Sequence, residues 1–171
     1  MKKVLSVLLV FCLMLSLCGC AFLRDVADMD KREEPKIFEF DDVSMELTTK
    51  YLRMDFVSED YEFIVGNQEL TIMGSKVEFD DTDLQELTVS EFAEHFRSLM
   101  LDDNPTEIYQ IDGIPTMQYT ATGDDSKEQT ATVKYYKSDE SFWIICFVTF
   151  SEDYEDLSGD IEKFAKSVKF S

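Results

Sequence analysis

Phe142-Trp143-Ile144-Ile145-Cys146-Phe147-Val148-Thr149-Phe150 is the stretch that decides the fold of this 171-residue chain. Successive side chains of a strand point to opposite faces. Phe142, Ile144, Cys146 and Val148 therefore share one face, and Trp143, Ile145 and Phe147 share the other. A strand that is apolar on both faces belongs in the middle of a sheet with material packed on each side. The segment after it offers one cover, because Tyr154, Leu157, Ile161, Phe164, Ala165 and Val168 recur at helical spacing.

Upstream, Thr130–Lys137 and Thr116–Thr122 alternate apolar and polar residues, which predicts strands covered mainly on one side. Asp112-Gly113, a dipeptide with easy access to positive φ, joins Ile108–Ile111 to Thr116–Thr122 as a hairpin. The clearest helix precedes them. Thr88 and Glu91 have capping-box spacing, and Val89, Phe92, Ala93, Phe96, Leu99 and Met100 form one apolar stripe. Asp102-Asp103-Asn104-Pro105 ends that helix. Further back, Tyr61–Val65 and Leu70–Met73 read as a hairpin around Gly66-Asn67, with Val77–Phe79 extending or restarting its second strand. Ile37–Phe40 and Val43–Leu47 read as short strands around Asp41-Asp42. Tyr51, Met54 and Phe56 fall on a short helical or irregular connection, and Ser167–Phe170 on a final strand. The expected class is α+β: a central antiparallel sheet flanked by helices on both faces.

The N-terminus has a different character. Lys2 and Lys3 precede an uncharged run from Val4 to Leu17, and Leu17-Cys18-Gly19-Cys20 follows. The layout is that of a secretory signal. The run falls short of the ~20 apolar residues that span a bilayer. Gly19 before Cys20, with Leu17 three places before the cut, resembles the lipobox of bacterial lipoproteins. The resemblance implies cleavage before Cys20 and diacylglycerol on its thiol, so residues 1–19 are expected to be a signal peptide. Each buried methylene contributes ~0.8 kcal/mol, so two acyl chains hold where one exchanges. Residues 20–36 are charged, contain Pro35 and read as a linker from the membrane to a domain spanning 37–171.

Charge excludes some partners. Removal of residues 1–19 leaves 152 residues with 14 Lys+Arg against 36 Asp+Glu, a formal charge of −22. Nucleic acid is excluded, because its binding depends on cationic neutralisation of phosphates. Anionic headgroups repel such a domain, so the lipid on Cys20 must supply the membrane contact. Of Cys12, Cys18, Cys20 and Cys146, only Cys146 is left free, so no intramolecular disulfide is expected. Its apolar neighbours mark it as a small buried hydrophobe.

The order of elements also resembles the PsbP-like fold. The Phe-rich helix Ser90–Met100, the hairpin at Gly113, Tyr135-Tyr136-Lys137, Phe142–Phe147, a helix and the ending Ala165–Phe170 carry that resemblance. It implies an α/β/α sandwich over about residues 37–170. It also implies an interaction or accessory role of the kind found in an extrinsic photosystem subunit, a nuclear Ran-binding protein and many bacterial lipoproteins. No shared catalytic constellation comes with it.

Chemistry is sparse in the sequence. His95, the single histidine, lies between Glu94 and Phe96, off the apolar stripe, and no motif brings a serine to it. Zinc requires several nitrogen or sulfur ligands, and none cluster. Asp80, Asp81, Asp83, Asp102, Asp103, Asp124 and Asp125 sit in acidic runs, but the EF-hand order with its glycine and terminal glutamate is missing. No cofactor, metal or catalytic set is expected. Trp143, Tyr135, Tyr136 and Tyr119 read as core, or as the lining of a groove between sheet and helix. The expected function is a lipid-anchored extracytoplasmic binding or accessory protein that engages the membrane through Cys20 and an envelope or extracellular protein. The alternative is a lipoprotein that captures a small molecule or peptide in a pocket between sheet and helix.

Overall fold

A computed structural model describes residues 33–54, 61–79, 82–99, 106–123 and 126–171. Cys20, the apolar N-terminal run and most of the expected linker lie outside the described residues, as does Phe56. Two strands come first, β1 (Pro35–Phe40) and β2 (Val43–Thr48), then β3 (Leu52–Arg53), β4 (Phe63–Gly66) and β5 (Leu70–Glu78). Helices α1 (Thr82–Glu86) and α2 (Val89–Leu99) follow. Strands β6 (Tyr109–Ile111), β7 (Ile114–Thr122), β8 (Glu128–Lys137) and β9 (Ser141–Phe150) complete the main sheet. A short 3-10 turn leads into α3 (Tyr154–Ser167), and β10 (Lys169–Phe170) ends the chain.

The strands build two sheets where the sequence suggests one. Seven strands pair in the order β3-β4-β5-β9-β8-β7-β6, and three in the order β1-β2-β10. All pairings are antiparallel. Alternation predicts that β1, β2 and β10 are strands but carries no statement of their neighbours. The aromatic contacts explain the partition. Phe40 stacks on Phe63 of β4 at 4.0 Å between ring centroids, and Phe170 lies 6.0 Å from Trp143. The small sheet thus lies over β9 rather than beside it.

Strand β9 is central, between β5 and β8, as its doubly apolar sequence requires. Its two faces feed separate cores. Phe142, Ile144 and Cys146 pack with Phe92, Ala93 and Phe96 of α2. Trp143, Ile145 and Phe147 pack with Leu157, Ile161 and Phe164 of α3 and with Phe38, Val43 and Met45 of the small sheet. Fully burying each such side chain stabilises the fold by roughly 1.5–3 kcal/mol.

Local signals are realised at several joints. Thr88 N–H donates to Glu91 Oε2 at 2.8 Å and Glu91 N–H to Thr88 Oγ1 at 3.2 Å, the reciprocal cap expected for α2. Those bonds, led by the backbone one, hold the Glu91 carboxyl below its ordinary pKa. Asp112 and Gly113 take φ of 52° and 82°, as the hairpin turn demands. Gly74 is needed for a different reason: a Cβ there would stand 2.1 Å from the Phe63 ring on the neighbouring strand.

Three further expectations change. The tract containing Tyr51 and Met54 includes the short strand β3, and Tyr51 is fully buried. The last helix runs to Ser167, so the final strand begins only at Lys169. The first strand starts at Pro35, inside the stretch read as linker. The largest change concerns β8, which is buried from Gln129 to Tyr135 and so covered on both faces. Its polar face is closed off by α3.

Candidate functional site

Of the residues that the sequence offered as chemistry, His95 and Cys146 are among those described. His95 is exposed on α2, and its carbonyl accepts a 2.6 Å hydrogen bond from Ser98 Oγ. Cys146 is a fully buried free thiol. Asp80, Asp81, Asp102, Asp103, Asp124 and Asp125 lie outside the described residues, as does the side chain of Asp83. Among the described residues, no group of three or more His, Cys, Asp or Glu side chains is arranged to hold a metal ion.

The four aromatics offered as a groove divide between the two faces. Tyr135 belongs to the α2 core and Tyr119 packs against it, whereas Trp143 and Tyr136 belong to the α3 side. Strand alternation makes this unavoidable: Tyr135 pairs with Ile144, and Tyr136 with Trp143. Burial raises the pKa of Tyr135 and Tyr136 well above the ordinary phenol value. Both hydroxyls stay neutral across the physiological range.

A polar seam runs between α3 and the sheet, and the sequence reading missed it. Lys134 is fully buried on β8, and its ammonium donates to Glu162 Oε1 at 2.7 Å and Oε2 at 2.8 Å. Thr116 and Ile145 flank Lys134 on the neighbouring strands, and Tyr109 pairs with Thr116 one strand further out. Tyr109 Oη donates to Gln118 Oε1 at 3.4 Å. At the margin Lys166 meets Asp112 at 2.7 Å, tying α3 to the β6–β7 turn. Tyr136 Oη donates to the Ala165 carbonyl at 2.9 Å.

Electrostatics explains why Lys134 tolerates this position. Burial lowers its pKa, and the two bonds to Glu162 act in the opposite direction. An isolated buried ammonium would cost several kcal/mol, so the pair must be kept together. A signal for it existed in the sequence. Lys134 is the sole charged residue inside β8 between its end residues Glu128 and Lys137, and such a lysine on a covered strand demands a carboxylate. The Lys134 ammonium is closed to solvent, and its bonds to Glu162 tie α3 to the sheet.

A second feature is concave. A cavity of about 410 Å3 is lined by Lys76, Glu78, Phe79, Gln85, Asp139 and Glu140, between the end of β5, α1 and the β8–β9 turn. Lys76 is engaged by Asp42 and Glu78 on one side. Beside it, Lys137 Nζ donates to the carbonyls of Gln85 and Leu87, both at 2.7 Å, and sits 5.4 Å from the Phe79 ring centroid. The mixture of three carboxylates, an ammonium and one ring makes this notch polar.

Comparison with known proteins places the architecture. No family model matches the chain, and no curated protein matches it. Among solved structures, one from Bacteroides thetaiotaomicron superposes with a TM-score of 0.57 at 8% identity, covering 81% of this chain and 48% of its own. This chain therefore spans about half the length of that protein. Its fold is shared; at this identity the likeness says nothing of chemistry. Two other matches are cyanobacterial PsbP from Synechocystis and the Ran-binding protein Mog1p from Saccharomyces cerevisiae. The first has TM-score 0.49, 12% identity and coverage of 90% of this chain and 98% of that one. The second has TM-score 0.49, 10% identity and coverage of 81% and 96%. The fold is α+β: two antiparallel sheets with three helices among the described residues.

Proposed function

We propose that this chain is a lipid-anchored, extracytoplasmic binding or accessory protein of a bacterial envelope, with a PsbP-like domain and without catalysis of its own. The observation that carries the reading is Lys2-Lys3, the uncharged run to Leu17, and Leu17-Cys18-Gly19-Cys20. Cys20 is the lipid attachment point, and the acidic domain behind it is held at the membrane by acyl chains. The closed Lys134–Glu162 pair and the exposed His95 favour a role in binding over one in turnover. A pool of 36 Asp+Glu against 16 Lys+Arg favours a partner with basic character.

The notch at Glu78, Phe79 and Glu140 favours a second reading, capture of a small polar molecule or peptide between sheet and helix. Labelling with an alkyne fatty acid tests the anchor: wild type takes the label and Cys20→Ala does not. Crosslinking in cells followed by mass spectrometry tests the role. A reproducible envelope partner, lost in Cys20→Ala, supports the accessory reading. Label on Cys20→Ala overturns the anchor. Small molecules copurifying with the folded chain in the absence of any crosslinked protein replace the accessory reading with the capture reading.

A further inference from the structure

Four strands lie at sheet margins: β3 and β6 in the large sheet, β1 and β10 in the small one. Three of these margins are two or three residues long; β1 has six. Short margins leave little backbone to recruit another chain, whereas a long one is a template for pairing. Strand β1 is therefore the place among the described residues where a further strand has room.

The direction of its backbone groups follows from the register. Thr49 N–H donates to the Glu34 carbonyl at 2.9 Å, and the β1–β2 pairs run from Pro35↔Thr48 to Phe40↔Val43. Hydrogen-bonded pairs alternate along an antiparallel ladder. Lys36, Phe38 and Phe40 thus bond to β2. Pro35, Ile37 and Glu39 turn their backbone groups to the open side. Proline has no N–H, so the open edge offers the Ile37 and Glu39 N–H groups and the carbonyls of all three.

The side chains at that edge say what fits it. Ile37, at the centre of β1, is 63% exposed, the most exposed large apolar residue among those described. Glu39 beside it, Glu46 opposite Ile37 on β2, Glu34 and Asp41 are all exposed. The nearby cations are committed elsewhere. Lys36 Nζ lies 4.6 Å from the centroid of its neighbour Phe38, and Lys50 binds Glu33 at 3.2 Å. In a second copy paired antiparallel about Ile37, Asp41 would face Glu33, a like-charge pair that repels, and Glu39 would face Pro35 and find no cation. A partner strand with basic residues around an apolar one is complementary in both hydrogen bonding and charge.

We infer that β1 is a docking edge for an extended basic segment of another protein, added antiparallel so that an apolar residue covers Ile37 and a Lys or Arg faces Glu39. The inference rests on the accessory reading above and names the chemistry of its partner. Main-chain bonds supply affinity in this mode, and alternate side chains supply selectivity. The edge begins at Pro35, inside the stretch expected to be linker, so the lipid anchor would present it near the membrane.

The test uses the full chain as isolated from cells, in detergent micelles, with a capped Thr-Arg-Thr-Val-Thr-Lys-Thr peptide as probe. NMR-detected amide exchange should slow at Ile37 and Glu39 on peptide addition, while Lys36 and Phe38, already bonded to β2, change little. Ile37→Pro removes the central open N–H and should weaken binding about tenfold. Glu39→Lys should weaken the basic peptide and strengthen a probe with Glu in place of Arg and Lys. Because Ile37→Pro removes no β1–β2 bond, unchanged thermal unfolding serves as its folding control, with Ile37→Thr as a second variant that keeps the N–H. Absence of protection at Ile37 and Glu39, equal affinity for the acidic probe, or a peptide-free dimer protecting the same amides would each overturn the proposal. Failed peptide binding with a labelled Cys20 leaves the anchor standing; an unlabelled Cys20 with intact peptide binding removes the anchor and keeps the edge.

Discussion

Helices α2 and α3 both pack against β9, but they are held by different physics. The α2 contact is a stack of rings: Phe92 lies 4.1 Å from Phe142 and nearly parallel to it, and Phe96 meets Tyr135 edge-on at 5.8 Å. The α3 contact has an apolar half in Leu157, Ile161 and Phe164, and a polar half in Lys134–Glu162, Tyr136–Ala165 and Asp112–Lys166. Apolar burial is strong and non-directional. A buried ion pair adds little net stability but penalises every misplacement of its partner. Helix α2 thus contributes burial, whereas α3 adds directional polar contacts to the sheet.

The sharpest way to break this contrast is Phe92→Ala, which empties the ring stack. Urea unfolding should show a loss of about 4 kcal/mol. Glu162→Ala strikes the other helix, stranding the Lys134 ammonium in a buried site, and should cost about 3 kcal/mol. The paired change Lys134→Met with Glu162→Leu should recover most of that loss. If the pair sets register, the recovered variant should show broadened amide resonances along α3 at undiminished stability; sharp resonances would reduce the seam to a spacer.

Adjacent tyrosines sharpen the comparison further. Tyr136→Phe removes the bond to the Ala165 carbonyl and should cost about 1 kcal/mol at neutral pH. Tyr135→Phe removes only a 3.9 Å contact to Met117 Sδ and should be close to neutral. Both phenols are raised by burial, so the folded state holds its protons when the unfolded chain releases them. Stability from each is complete below the unfolded phenol range near ~10 and falls as pH rises above it. Each Phe variant should flatten that alkaline decline, measured by urea midpoints from neutral to alkaline pH. Equal neutral-pH costs for the two would erase the distinction between the faces.

The smallest effect belongs to the rim. Lys166 and Asp112 are each 53% exposed at the side chain, so Lys166→Ala should leave the urea midpoint almost unmoved, and added salt should screen any remaining effect. A larger, salt-independent loss would move the pair from the margin of the seam into its working part.

Much of α2 was legible because its signals are local. Thr88 and Glu91 are three residues apart, and the Val89–Leu99 stripe needs nothing beyond helical period. The turn at Asp112-Gly113 was legible for the same reason, and so was the central position of β9. The seam was not. Lys134 and Glu162 lie 28 residues apart, and alternation on β8 placed Lys134 on a face read as open. The aromatic set failed similarly: Tyr135 and Tyr136 are neighbours in sequence but sit in different cores.

By itself, the sequence determined the positions of most strands and helices, the buried character of both faces of β9, the acidic surface and the expectation of a lipid on Cys20. These follow from short-range periodicity, composition and a compact motif. Only the tertiary structure decided that β1, β2 and β10 form a separate sheet, that α3 closes over Lys134, and that β1 lies at a sheet margin among the described residues, with Ile37 exposed. The physical reason is that burial is a property of pairs of elements. A strand's period says which residues share a face, whereas the element that covers that face is chosen by contacts between distant parts of the chain.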